Sequence, residues 1–64
     1  ELLSHREHQV YLLLTQGHTV SEIGAQLSLA PNTVSTYRAR ILEKTGTKND
    51  VELALYAQSL GSGH

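Results

Sequence analysis

The chain has 64 residues, five basic against six acidic, and a net charge of −1 with no cysteine. That length allows one small domain with a limited core, and the missing cysteine excludes disulfides while suiting a cytosolic setting. No apolar run approaches the ~20 residues needed to cross a bilayer, there is no basic-then-apolar leader, and the opening at Glu1 reads as a piece of something longer. A single proline, many leucines and few β-branched runs favour an all-α domain.

Leu2 and Leu3 precede Ser4-His5-Arg6-Glu7, a Ser-x-x-Glu capping box. Val10, Tyr11, Leu13 and Leu14 follow at helical spacing, and Gly17 suits a left-handed stop, so a first helix is predicted over about 5–16. Thr19-Val20-Ser21-Glu22 is a second box opening a short helix over 20–27, with Ile23 and Leu27 turned to the core. Gly24 between them costs roughly 1 kcal/mol of helix propensity, which close packing of the next helix would explain.

Ser28-Leu29-Ala30 is a turn with Leu29 as its buried plug, and Pro31 suits a first helical position. The third helix then runs over 31–45, roughly 20 Å at 1.5 Å per residue, and ends at Gly46. Val34, Ile41 and Thr45 share one face, flanked by Leu42 and Tyr37; Ser35, Thr36, Ala39, Arg40 and Glu43 share the other. Small side chains let a helix backbone approach base edges, and arginine reaches guanine or phosphate. Asn49 caps a fourth helix over 50–60, where Leu53, Ala54, Tyr56, Ala57 and Leu60 can cover the core while Val51, Leu55 and Gln58 turn elsewhere. That leftover apolar pair suits a dimer seam or ordinary packing. Residues 61–64, Gly-Ser-Gly-His, read as a flexible tail of the kind a cloning vector leaves, with no function.

A short helix, a tight turn and a longer helix over 19–46 form the outline of a helix-turn-helix, which places its second helix in the major groove. The net charge argues against a nucleic-acid partner, but its distribution argues for one. Arg38, Arg40, Lys44 and Lys48 fall within eleven positions holding one acid, Glu43, a local +3; one cation and five acids remain elsewhere, −4. Such a patch can bind phosphate on a slightly acidic molecule, although a solvated helix face explains the charge equally well.

Together, LSHREHQVYLLLTQG, SEIGAQLSLAPNTVSTYRARILEKTG and DVELALYA resemble the LuxR/FixJ-type (GerE-like) helix-turn-helix domain of bacterial regulators over about residues 3–57. The STYRARILEK wording is most similar to the BvgA-like response regulators. The resemblance implies a four-helix domain that binds double-stranded DNA in the bacterial cytoplasm, associated with the nucleoid when bound. It implies a homodimer seam at Val51, Leu55 and Gln58, contact with RNA polymerase, and a preceding receiver or ligand-binding domain. By position, Ser35, Thr36 and Ala39 match base-facing sites, and Thr33, Tyr37, Arg40, Lys44 and Lys48 match phosphate-facing ones.

Several residues depart from the family pattern. Ser35 and Ala39 stand where lysine is frequent, so no operator sequence carries over. Asn32 replaces a common lysine, Gly24 an alanine, and Thr45 and Thr47 apolar residues, which implies a weaker core. Arg38, where many relatives have valine, either reaches a phosphate or pairs with a carboxylate such as Glu22.

Two other readings compete: a sigma-factor-like promoter-recognition domain, and a helical protein-interaction module that never binds DNA. An enzyme is not indicated, since no nucleophile–base pairing or glycine-rich phosphate loop is present. His5 and His8, at i and i+3, lack a third ligand, so neither a metal nor a cofactor is expected. His18, in the loop before the second helix, reads as exposed.

Overall fold

In the computed structural model, which describes the backbone of residues 2–61 and the side chains of residues 2–59, the predicted boundaries are close to those adopted. Helix α1 (His5–Thr15) opens as its capping box requires. Ser4 donates its amide to Glu7 Oε1 at 2.9 Å, and the Glu7 amide donates to Ser4 Oγ at 3.3 Å. At the other end Gly17 takes φ +94°. The amides of Gly17 and His18 donate to the carbonyls of Leu14 and Leu13, the two bonds of a Schellman motif.

Helix α2 (Val20–Leu27) repeats the design with Thr19 and Glu22, their reciprocal bonds measuring 2.9 and 3.1 Å. It ends at Ser28, which sits left-handed at φ 58°, ψ 43° without being glycine. Helix α3 (Pro31–Thr45) has no side-chain cap at Ala30 and starts directly on Pro31. Its last turn closes on Gly46 at φ 71°, with the Thr47 amide donating to the Leu42 carbonyl. Helix α4 (Asp50–Gly61) begins with the Glu52 amide on Asn49 Oδ1 at 2.9 Å, while Glu52 Oε1 accepts the Lys48 amide at 2.8 Å. The helix includes Gly61, one residue into the predicted tail; residues 62–64 and the side chain of Leu60 lie outside the described residues.

Val10, Tyr11, Leu14, Ile23, Val34, Ile41 and Leu53 form one core fed by all four helices. Five of them are at most 1% exposed, and each such side chain contributes about 1.5–3 kcal/mol by leaving water. Tyr11 and Tyr56 meet edge to face at 6.4 Å and 81°, fastening α4 to α1. Leu29 and Tyr37 are half-buried against the core, so Leu29 is a partial plug. Thr45 and Thr47, the polar departures that implied a weaker core, are hydrogen-bonded: their hydroxyls lie 2.9 Å apart and Thr45 also donates to the Ile41 carbonyl at 2.7 Å.

The reason for Gly24 differs from the expectation. A Cβ there would lie 2.6 Å from the Leu29 carbonyl oxygen, in the turn, and a tolerable 3.7 Å from Val34 of α3. The Leu29 amide also donates to the Gly24 carbonyl at 2.8 Å. The turn backbone, rather than the following helix, occupies the space beside Gly24.

Candidate nucleic-acid interface

The core anchors α3 through Val34 and Ile41, both 0% exposed, and this leaves the opposite face open. Asn32, Thr33, Ser35, Thr36, Ala39, Arg40 and Glu43 are all exposed, which places every predicted base-facing residue on the solvent side. Asn32 and Thr33 lie in the first turn of α3. Thr36 is not free to donate outward: its hydroxyl donates to the Asn32 carbonyl at 3.1 Å within the same helix.

The four clustered cations divide into two pairs. Arg38 donates from Nε to Asp50 Oδ1 at 2.8 Å, across to the first residue of α4. Its partner is therefore Asp50 and not Glu22, whose carboxylate is already held by the Thr19 amide and lies 3.5 Å from His18 Nδ1. His18 is half-buried rather than fully exposed. Lys44 donates from Nζ to Glu7 Oε1 at 2.7 Å, so the ammonium matched to a phosphate site is tied to α1. Arg40 and Lys48 are exposed, and no carboxylate among the described residues pairs with their charged side-chain groups.

Glu7 has little contact with solvent, its side chain being 4% exposed. The Lys44 ammonium foremost, then the Ser4 amide, hold its carboxyl below the ordinary 4.5. Glu22 is likewise lowered, chiefly by the Thr19 amide. Both acids stabilise helix starts, and Glu7 additionally aligns the far end of α3. Asp50 and Glu7 lie 12 and 37 positions from the cations they engage, and their acidic character was the sole sequence signal for either role.

Val51 and Leu55 on α4 are 71% and 58% exposed. With Leu14, Thr15, Ala54 and Gln58 they line an open groove of about 390 Å³ beside the end of α1. Gln58 is exposed on the same face, so all three predicted seam residues lie together. His5 and His8 are exposed on α1, and no group of three metal-ligating side chains occurs among the described residues. Among those residues, no helix is long and apolar enough to cross a membrane.

The family described as bacterial regulatory proteins, luxR family, matches residues 1–57. The chain belongs to this LuxR family. It is similar to the transcriptional regulatory protein UhpA of Salmonella typhimurium, with 56% identity over 52 residues, 81% of this chain and 26% of the relative. The response regulator GacA of Pseudomonas aeruginosa is 51% identical over 55 residues, 86% of this chain and 26% of GacA. The response regulator UvrY of Escherichia coli K12 is 49% identical over 51 residues, 80% of this chain and 23% of UvrY. The chain thus spans about a quarter of the length of these relatives. No solved structure matches it. As a LuxR-family helix-turn-helix, the chain is a DNA-binding domain of the transcription-regulator type, and its relatives are regulators rather than enzymes.

Proposed function

We propose that this LuxR-family domain is the DNA-binding output module of a two-component response regulator, with a receiver domain preceding it in the full protein. The observation that carries this reading is the open face of α3, where Ser35, Thr36, Ala39 and Arg40 are exposed together opposite a sealed core. That face enters a major groove; α3, about 22 Å long at 1.5 Å per residue, is long enough to cross a groove ~12 Å wide. Ser35, Thr36 and Ala39 face the bases, while Arg40 and Lys48, the cations of the patch with no carboxylate on their charged groups among the described residues, take phosphates together with Asn32, Thr33 and the Tyr37 hydroxyl. Lys44 contributes chiefly by holding α3 against α1, since Glu7 already neutralises it.

Two copies bind as a homodimer through Val51, Leu55 and Gln58 on α4, on half-sites about one helical turn or a multiple apart. The seam is small, so DNA stabilises the dimer more than the dimer stabilises itself. RNA polymerase is the expected further partner, in the bacterial cytoplasm at the nucleoid. The domain runs at least to Gly61, where α4 ends.

A random-sequence DNA selection followed by binding on single and paired half-sites tests the proposal. A two-part motif is expected, and Leu55→Asp should weaken paired-site occupancy by at least fivefold more than single-site contact. Equal losses on both would remove α4 as the seam, and the absence of any enriched motif would remove direct sequence reading by this domain.

A further inference from the structure

The atoms on the open face of α3 limit which bases it can read. Guanine is read by the two-pronged donors of arginine or lysine, and adenine by the amide of asparagine or glutamine. Thymine is read by an apolar contact with its 5-methyl group, for which alanine and the threonine methyl are suited. Positions 35, 36 and 39 carry Ser, Thr and Ala, with no cation and no amide; the exposed amide of Asn32 lies in the first turn, four residues before Thr36, and is assigned to the backbone. The Thr36 hydroxyl proton is already directed back to the Asn32 carbonyl. What Thr36 still offers the groove is a methyl group and an oxygen lone pair, and Ala39 offers a methyl alone.

Cations nearby do not change this. Arg38 is held by Asp50 and Lys44 by Glu7, which leaves Arg40 as the one exposed cation of α3 without a carboxylate partner among the described residues. Thr36 and Ala39 stand three residues apart, so they share a face with Cβ atoms about 5–6 Å apart. That distance spans one to two base steps of about 3.4 Å.

Resting on the reading of α3 as the recognition helix, we infer that Thr36 and Ala39 are specificity residues that read a pair of thymine methyl groups, one or two base steps apart, in each half-site. The half-site core is therefore T-rich at these steps. Sequence selectivity there comes from shape and apolar contact, with Arg40 placed to fix the helix on the backbone.

Deoxyuridine is the probe, because it removes the 5-methyl and leaves every hydrogen-bonding edge of thymine in place. The paired site obtained by selection is resynthesised with each thymine replaced singly by deoxyuridine, and binding is measured with the 64-residue chain. Two positions per half-site should each lose about fourfold in affinity, the worth of one buried methyl group. Thr36→Ser keeps the hydroxyl and deletes the methyl, so it should abolish the deoxyuridine effect at one position while leaving the other intact. Ala39→Gly should abolish the effect at the second.

Retained salt-sensitive binding with no thymine sensitive to deoxyuridine, or with sensitivity unchanged in Thr36→Ser and Ala39→Gly, would overturn the inference and leave α3 as a DNA-binding helix. No salt-sensitive binding to any DNA would overturn both readings together. Circular dichroism on each variant establishes that the fold is retained.

Discussion

Arg38 on α3 and Asp50 at the start of α4 are joined by one 2.8 Å hydrogen bond. The contact is half open to water, the two side chains being 33% and 49% exposed, so it adds only about 0–1 kcal/mol to stability. Its larger effect is on position and charge. It ties the helix proposed to enter the groove to the helix proposed as the dimer seam, and it engages one guanidinium that a phosphate would otherwise attract. Asp50→Asn should therefore change stability by less than about 1 kcal/mol, raise DNA affinity at low salt, and steepen the dependence of log K on log salt by about 0.9, the value of one added phosphate contact. An unchanged slope would show that Arg38 does not reach the backbone when released.

The Glu7–Lys44 pair predicts the acid limb of the stability curve. The folded state lowers the carboxyls of Glu7 and Glu22 below the ordinary 4.5, so the folded form favours them ionised. Their contribution is fully present above pH 4.5 and is lost as pH falls through their lower folded values. Thermal melts should be level between about pH 5 and 7 and fall steadily below that range. Glu7→Gln should melt several degrees lower at neutral pH and show a flatter acid limb, because it has no ionisation to lose. Lys44→Met should also lower the melting temperature, yet alter the salt slope of DNA binding less than Arg40→Ala does.

Ser28 and Gly24 provide a paired test of the turn. Ser28 stands at φ 58°, where a Cβ costs roughly 1–2 kcal/mol, so Ser28→Gly should raise stability by about 0.5–1 kcal/mol after the added chain entropy of glycine. In a domain this small that corresponds to about 2–8 °C in melting temperature. Gly24→Val should do the reverse and lose about 1–3 kcal/mol, since even its first carbon would meet the Leu29 carbonyl at 2.6 Å. A melting temperature raised by Gly24→Val would mean that the turn moves freely.

These features also mark what the sequence could and could not reveal. Ser4 with Glu7, Thr19 with Glu22, and Asn49 were legible because caps are local: donor and acceptor lie within three or four residues. The open face of α3 was legible because helical periodicity separates Val34 and Ile41 from Ser35, Thr36 and Ala39. The partners of Arg38 and Lys44 were not, since they depend on how α3 packs against α4 and α1. The charge cluster thus overstated the basic patch: two of its four cations are neutralised by acids from distant positions. Ser28 gave no left-handed signal because that conformation is usually announced by glycine or asparagine. Gly24 announced a close approach, but the neighbour proved to be the turn and not the next helix, because backbone contacts depend on how the turn folds back.

The most direct measurement is an NMR titration of the 15N-labelled chain with the selected DNA. The predicted result is that the largest backbone shifts fall on Asn32, Thr33, Ser35, Thr36, Ala39 and Arg40, with Val51 and Leu55 shifting only when two half-sites are present. The groove formed by Leu12, Gln16 and Leu27 between α1 and α2 should remain unchanged. Shifts concentrated in that groove, with α3 silent, would contradict the assignment of α3 as the helix that reads DNA.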